Sequence, residues 1–251
     1  MTTAMPLRFE LCVDSAPGAL AAQEGGADRI ELCADLIEGG ITPSAGAVQF
    51  VREQLSIPVM VLVRPRGGDF VYSATELEVM RRDIEMLRAA GVDGVVVGAL
   101  RRDGTLDLDA TRVFVAAARP MQVTFHRAFD MCIDPFAALE QLVELGVDRV
   151  LTSGQVDSAG DGLERIKDLV RRAAGRLSVM PGGGIDETNI ARIAAQSEAH
   201  EIHVAALASF DSEMEFRNPH CGMGCGTLPG EYERRETDVE RVRTLLRLAN
   251  G

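Results

Sequence analysis

The chain has 251 residues, of which 46% are hydrophobic and 25% are charged, a composition typical of one large globular domain or two small ones. Its net charge of −12 argues against a general nucleic-acid binder and against adhesion to an anionic membrane, because both need an excess of Lys and Arg. The first residues do not predict a signal peptide, and no apolar run approaches the roughly 18 residues of a membrane helix.

Strand-like and helix-like runs alternate about eight times along the chain. The predicted strands are Arg8–Asp14, Arg29–Ala34, Pro58–Arg64, Gly94–Ala99, Gln122–Arg127, Arg149–Ser153, Leu177–Met180 and Glu201–Ala206. Between them, apolar residues recur at helical spacing, as in Leu77, Met80, Ile84 and Leu87. Strand–helix alternation favours a parallel sheet, and eight such units in a chain of this length predict an α/β fold, a single (β/α)8 TIM-barrel domain over residues 1–251.

A repeated three-residue pattern, Gly-x-Asp, supports the prediction of a barrel. It occurs before the second, fourth and sixth strands, as Gly26-Ala27-Asp28, Gly91-Val92-Asp93 and Gly146-Val147-Asp148. A glycine there can adopt the left-handed conformation that ends a helix. A Rossmann sheet is the alternative, but no Gly-x-Gly-x-x-Gly follows the first strand. After the eighth strand, residues 209–236 are rich in Gly, Pro and charge, which predicts a long loop at the C-terminal face of the barrel, where active sites lie.

The first two strands share the motif Glu-Leu-Cys, as Glu10-Leu11-Cys12 and Glu31-Leu32-Cys33. Because side chains alternate along a strand, Glu and Cys share one face in each copy. If the apolar face packs on helices, the Glu and Cys side chains point into the barrel. The same alternation adds inward residues from the fifth and eighth strands: Thr124, His126 and His203. Buried carboxylates need partners, for which the candidates are Arg64, Arg66 and Arg127; the alternative is a buried polar network without chemistry.

The motif predicts two thiols at matching positions of adjacent parallel strands, which lie about 4.8 Å apart, so the pair could bind a soft metal. Two thiolates suit Cu(I), so Cys12 and Cys33 are candidate ligands. A disulfide, or two small buried hydrophobic residues, would also fit the pattern, and zinc would need His126 or His203 to complete its ligands. A second soft cluster lies at His220–Cys225, where incidental thiols in a loop fit the pattern equally well. Five cysteines without the spacing of a disulfide framework predict reduced thiols in a cytoplasm.

Polar residues at the predicted strand ends suggest a site for a small anion. The ligand-binding candidates are Arg64, Arg66, Asp69, Arg127, Ser153, Gly182, Gly183 and Gly184. Barrels often hold phosphate in the loops after strands seven and eight, although a glycine run can also be a simple tight turn. The candidates for proton transfer are Glu10, Glu31, His126, Asp130 and His203.

Several long segments resemble the copper homeostasis protein CutC family. They are Glu10–Ser15, Gly25–Cys33, Glu38–Ser44, Arg64–Phe70, Thr124–Asp130, Leu151–Gly154 and Pro181–Gly184, and they span nearly the whole chain. The resemblance implies a cytoplasmic (β/α)8 barrel that self-associates as a homo-oligomer and is linked to copper tolerance. It also implies a cysteine pair that binds Cu(I), and Cys12 and Cys33 occupy the matching positions.

Two hypotheses of function follow. In the first, the protein binds or transports Cu(I) through Cys12 and Cys33. In the second, it is an enzyme that acts on a small anionic substrate, for example a phosphorylated one. There, arginines would clamp the anion, the Gly182–Gly184 loop would hold a phosphate, and His126 with Asp130 or Glu31 would transfer protons. The two are compatible, because a metal could serve catalysis.

Overall fold

A computed structural model describes residues 7–222 and 230–251. Its central strands are β1 (Arg8–Val13), β2 (Arg29–Leu32), β3 (Val59–Leu62), β4 (Gly94–Val97), β5 (Gln122–Phe125), β6 (Arg149–Thr152), β7 (Ser178–Pro181) and β8 (Glu201–Val204). The helices are α1 (Ala16–Gly25), α2 (Ala45–Gln54), α3 (Ala74–Ala89), α4 (Leu108–Ala118), α5 (Pro135–Glu144), α6 (Leu163–Ala173), α7 (Ile190–Gln196) and α8 (Val239–Asn250). Two further strands, β9 (Leu207–Asp211) and β10 (Glu233–Thr237), precede α8.

The eight central strands form one parallel sheet that curves into a barrel. Its strand order is β7-β6-β5-β4-β3-β2-β1-β8, and a parallel bridge between Gly182 and His203 joins the two ends. Strands and helices alternate from β1 to β8, as parallel crossovers require. The predicted (β/α)8 barrel is therefore confirmed. None of the helices in the two described ranges is long and apolar enough to cross a bilayer.

The Gly-x-Asp repeat connects the end of each of these helices to the strand that comes before that helix in the chain. The three glycines adopt the left-handed conformation, with φ of 101° at Gly26, 75° at Gly91 and 74° at Gly146. Two residues later, each aspartate accepts a hydrogen bond of 2.8 Å from a backbone N–H at the start of the preceding odd-numbered strand. These pairs are Asp28 with Phe9, Asp93 with Val59, and Asp148 with Val123. The repeat therefore ties β1, β3 and β5 to their neighbouring strands at the N-terminal end of the barrel.

The two faces of the strands pack in different cores, as the alternation predicts. Phe9, Leu11 and Ile30 belong to the large core between sheet and helices. Cys12 and Cys33 belong to a smaller cluster inside the barrel, with Met60, Leu62 and Val96. The seven predicted inward residues are all buried: Glu10, Cys12, Glu31, Cys33, Thr124, His126 and His203.

The segment after β8 differs from the expected loop at both of its ends. Strands β9 and β10 pair in antiparallel register, with Asp211 opposite Glu233 and Leu207 opposite Thr237. Only part of the predicted His220–Cys225 cluster can be placed, because Met223, Gly224 and Cys225 lie outside the described residues.

The barrel interior leaves no room for a side chain at Gly94 of β4. A Cβ there would lie 2.2 Å from Cε of Met60 and 2.8 Å from the backbone oxygen of Gln122. We expect Gly94→Ala to lower the free energy of unfolding by about 1–3 kcal/mol, as overpacking does. The control is Gly46→Ala on the exposed first turn of α2, where a Cβ meets no atom within 4 Å. Urea unfolding of both variants tests this, and equal stability of the two would contradict the packing described.

Candidate functional site

A cavity of about 270 Å³ opens at the C-terminal ends of the strands. Most of its lining is apolar and includes Leu36, Leu62, Phe70, Leu151 and Ile185. Six side chains that can ionise also line it: Cys12, Glu31, Arg64, His126, Arg127 and His203. All six were predicted site residues. The barrel therefore gathers much of the predicted set around one cavity, at the end of the fold where barrel enzymes carry their active sites.

The two cysteines do not lie at matching positions of β1 and β2, contrary to the sequence-based expectation. Cys12 lies opposite Glu31, because the register pairs Glu10 with Arg29 and Val13 with Leu32. Cys33 follows the end of β2, two residues beyond Glu31. This offset is the stagger that a closed barrel imposes on neighbouring strands. The sulfurs still approach to 3.9 Å, and both thiols are free.

Cys12 lies where the thiol pair meets a carboxylate and an imidazole. Its sulfur is 3.9 Å from Oε1 of Glu31, and ligand atoms of Cys12, Glu31 and His203 all lie within 4.8 Å of one another. The neighbouring Cys33 thiol and burial raise the pKa of Cys12 well above its ordinary value. Without a metal, the Cys12 thiol is therefore protonated at neutral pH. Cys33 makes a contact of its own, from its sulfur to the backbone oxygen of Val13 at 3.4 Å.

The two buried glutamates of the motif have opposite ionisation behaviour. Burial would raise the pKa of Glu10, but Arg29 and His203 lower it to about 2. Burial raises the pKa of Glu31 to about 7, because no arginine contacts it and one of its oxygens has no hydrogen-bond partner among the described residues. Burial opposes the charge on His203, but its contacts with Cys12 and Glu10 raise its pKa well above the usual range. At neutral pH, Glu10 and His203 therefore form a charged pair, at 2.8 Å.

The buried carboxylates have different partners from those that the sequence suggested. Glu10 pairs with Arg29 at the start of β2, and Arg29 also contacts Glu201 at 2.9 Å. Glu201 in turn pairs with Arg149 at the start of β6. Arg64, Arg66 and Arg127 were the expected partners, but their guanidinium groups lie in loops beyond the strand ends and do not reach these carboxylates. We call the chain of residues Glu10, Arg29, Glu201 and Arg149 the interior ion ladder.

Arg29, Arg149 and Glu201 were absent from the predicted site, although the alternation pattern could have found them. Arg29 is two residues before Glu31, and Glu201 is two residues before His203, so each shares the inward face of its strand. Arg149 completes the ladder and also donates to Thr124, at 3.1 Å. All four strands of the ladder, β1, β2, β6 and β8, thus carry both a ladder residue and a residue of the cavity.

His126 is neutral, and its one N–H has no hydrogen-bond acceptor among the described residues. Burial and the nearby Arg64 lower the pKa of His126 to about 3. Its Nδ1 accepts a hydrogen bond of 3.1 Å from the backbone N–H of Ala128, so the proton of the neutral ring lies on Nε2. Within the described residues, no hydrogen bond joins His126 to Asp130 or Glu31, the expected partners for proton transfer.

Asp130 organises the loop after β6. Its carboxylate accepts hydrogen bonds from the backbone N–H of Ser153, the hydroxyl of Thr152 and the backbone N–H of Gln155. It also pairs with Arg127 at 2.8 Å, and Arg127 donates to the Ser153 hydroxyl at 2.7 Å. These contacts leave Asp130 and Ser153 engaged within the protein, and they hold Arg127 at the edge of the cavity.

Arg66 and Asp69 do not reach the cavity. Arg66 pairs with Glu76 at 2.6 Å and with Asp69 at 3.1 Å, and it stacks on Tyr72. Both residues therefore stabilise the loop between β3 and α3.

The glycine run after β7 does reach the cavity. Gly183 and Gly184 line it with φ of 97° and 61°. A side chain at Gly183 would collide with the guanidinium carbon of Arg127 at 2.8 Å. The preceding Gly182 has the same constraint, because a Cβ there would lie 2.5 Å from Leu151. The run therefore lets the backbone approach Arg127 and Leu151 closely.

The fold and site define a class of protein: a (β/α)8 barrel with a buried thiol pair and a cavity lined by ionisable residues at the C-terminal face. The sequence profile of the CutC family matches residues 7–208, and the chain belongs to this family. It is 52% identical over 241 residues to a copper homeostasis protein cutC homolog of Mus musculus, covering 96% of this chain and 89% of the mouse protein. The human homolog of the same name is 52% identical over 243 residues, covering 97% and 89%.

A solved structure supports the same assignment. The crystal structure of a copper homeostasis protein CutC from Streptococcus agalactiae is similar to this chain with a TM-score of 0.74 and 32% identity. The similarity covers 78% of this chain and 97% of the other. The CutC resemblance seen in the sequence is thus confirmed.

The interior ion ladder should be essential for stability. Glu201 joins Arg29 and Arg149, so Glu201→Gln leaves two buried guanidinium groups without a full counter-charge. We expect a loss of about 3–5 kcal/mol in the free energy of unfolding, as for other broken buried pairs. The matched control is Glu198→Gln, which removes an exposed pair with Arg171 and should change stability little. Denaturant unfolding measures both, and a small loss for Glu201→Gln would contradict the role of the ladder.

Proposed function

We propose that this protein is a cytoplasmic copper homeostasis protein that binds Cu(I) through the thiolates of Cys12 and Cys33. The observation that carries the proposal is the 3.9 Å approach of two buried sulfurs beside the cavity. Soft thiolate ligands select Cu(I), and reduced thiols fit a cytoplasmic location. The names of the mouse and human relatives point the same way.

The donor set fits a soft metal ion. Taking the roughly 2.3 Å of a zinc–thiolate bond as a guide, two sulfurs bound to one metal lie no more than about 4.6 Å apart. The observed separation of 3.9 Å is inside this limit, and far longer than the roughly 2.05 Å of a disulfide. Glu31 and His203 carry an oxygen and a nitrogen within 4.8 Å of the Cys12 sulfur, and the His203 ring would lose a proton on binding a metal. Because both thiols must lose a proton to bind, metal uptake would release protons, for which Glu31 is the nearest weakly acidic group.

A Cu(I) competition experiment tests the proposal. The background is Cys221→Ser/Cys225→Ser, because these two thiols could bind copper on their own. Under reducing, oxygen-free conditions, this protein should take one Cu(I) from a chromophoric chelator such as bicinchoninate. We expect Cys12→Ser and Cys33→Ser each to lower the affinity by at least 100-fold, because each removes one of two thiolate ligands.

The matched control is Cys132→Ser. Cys132 is also buried and free, but it lies away from the cavity, where its sulfur contacts Gln155 at 3.8 Å. Its substitution should leave the Cu(I) affinity unchanged. The proposal fails if Cys12→Ser/Cys33→Ser protein, shown to be folded by circular dichroism, still binds Cu(I) as tightly as the background protein.

Catalysis on a small anionic substrate is a second candidate function. The observation that favours it is Glu31, whose pKa of about 7 is suited to proton transfer at neutral pH and whose side chain lines the cavity. The first requirement of this function is a binding site for the anion.

A further inference from the structure

Buried polar atoms without partners concentrate around the cavity. In the described part of the chain, five buried side-chain nitrogen or oxygen atoms make no hydrogen bond. Three of them belong to residues that line the cavity: Oε2 of Glu31, Nε of Arg64 and Nε2 of His126. Buried polar groups are nearly always paired in native proteins, so such a cluster marks groups with which a ligand or ordered water in the cavity could form hydrogen bonds. Two of the three atoms, on Arg64 and His126, carry N–H groups that can donate.

Arg64 is a buried cation without an anionic partner in the described residues. Its terminal nitrogens donate to the backbone oxygens of Glu38 at 2.7 Å, Gly40 at 2.8 Å and Gly68 at 2.9 Å. These bonds fix the guanidinium group, but they do not neutralise it. Its side chain is buried, and an uncompensated buried charge is strongly unfavourable. An anion in the cavity would supply the missing counter-charge.

Phe70 brings Arg64 and His126 together. The guanidinium carbon of Arg64 lies 5.2 Å from the centre of the Phe70 ring, and the His126 ring lies 5.0 Å from the same centre. Both donors are therefore held against one aromatic ring that itself lines the cavity. The neutral state of His126 matters here, because its Nε2–H is a fixed donor and not a site of protonation.

We propose that the cavity binds a small oxyanion, a carboxylate or a phosphate group, through the N–H groups of Arg64 Nε and His126 Nε2. The apolar lining by Leu36, Leu62 and Ile185 would accommodate a short hydrocarbon body attached to the anion. The site deepens the second candidate function by naming its ligand class, and it does not depend on Cu(I) binding.

The test is a titration of metal-free protein followed by NMR, with inorganic phosphate in one arm and butyrate in the other. We expect saturable binding of at least one of the two probes. A preference for phosphate identifies phosphate esters as the ligand class, and a preference for butyrate identifies carboxylic acids. Arg64→Gln and His126→Asn should each weaken binding at least tenfold. Asparagine can still accept from the Ala128 N–H, so His126→Asn remains informative if Arg64→Gln fails to fold.

A control variant distinguishes binding in the cavity from binding elsewhere on the protein. Arg66→Gln removes a neighbouring cation of the same loop that does not line the cavity, and it should bind the probe as the wild type does. The titration uses metal-free protein and the Cu(I) competition uses buffer without phosphate or butyrate, so failure of the copper site and failure of the anion site are distinguishable. Absence of saturable binding with both probes would overturn the proposal. So would equal losses in Arg66→Gln and Arg64→Gln.

Discussion

The interior ion ladder is the constraint on which the barrel and its site depend. Four charged residues from four strands fill the inside of a barrel that apolar residues would ordinarily fill. Their desolvation is unfavourable, so the arrangement holds only because each carboxylate contacts an arginine and each arginine contacts a carboxylate. The ladder ends at Glu10, which binds His203. It therefore fixes the imidazole that borders the thiol pair.

The stagger of the barrel determines which groups meet at the cavity. If β1 and β2 were paired without a stagger between the two motifs, Glu10 would lie opposite Glu31 and Cys12 opposite Cys33. The actual register places Cys12 opposite Glu31, so that a thiol faces a carboxylate. Cys33 lies two residues beyond Glu31, past the C-terminal end of β2. The result is an asymmetric site. Cys12 contacts the other thiol, a carboxyl group with a pKa of about 7 and a charged imidazole, whereas Cys33 also contacts a backbone oxygen.

Local patterns in the sequence predicted the architecture and the inward residues well. Strand–helix alternation predicted the barrel, because the spacing of units needs no knowledge of distant contacts. Two-residue alternation placed Glu10, Cys12 and His203 inside the barrel, because a strand has only two faces. The Gly-x-Asp repeat marked the helix-to-strand junctions correctly, although its aspartates also fasten the preceding strands, which the pattern alone did not show.

Properties that depend on strand register and on loop conformation could not be predicted from the sequence. Arg64 and Arg66 differ by two positions, yet Arg64 lines the cavity and Arg66 pairs with Glu76 outside it. Nothing in Arg64-Pro65-Arg66 distinguishes them. The pairing of Asp130 with Ser153 in place of His126 likewise depends on how two separate loops fold. Antiparallel pairing of β9 with β10 joins segments more than 20 residues apart and left no periodic signal.

The most direct test of the proposed copper site is X-ray absorption spectroscopy at the copper edge. The sample is the one-to-one Cu(I) complex of the Cys221→Ser/Cys225→Ser protein. The proposal predicts two sulfur atoms bound to the metal, falling to one in Cys33→Ser, with a nitrogen or oxygen neighbour from His203 or Glu31. A spectrum without sulfur neighbours, or one unchanged in Cys12→Ser/Cys33→Ser, would contradict the assignment of these two thiols as the ligands.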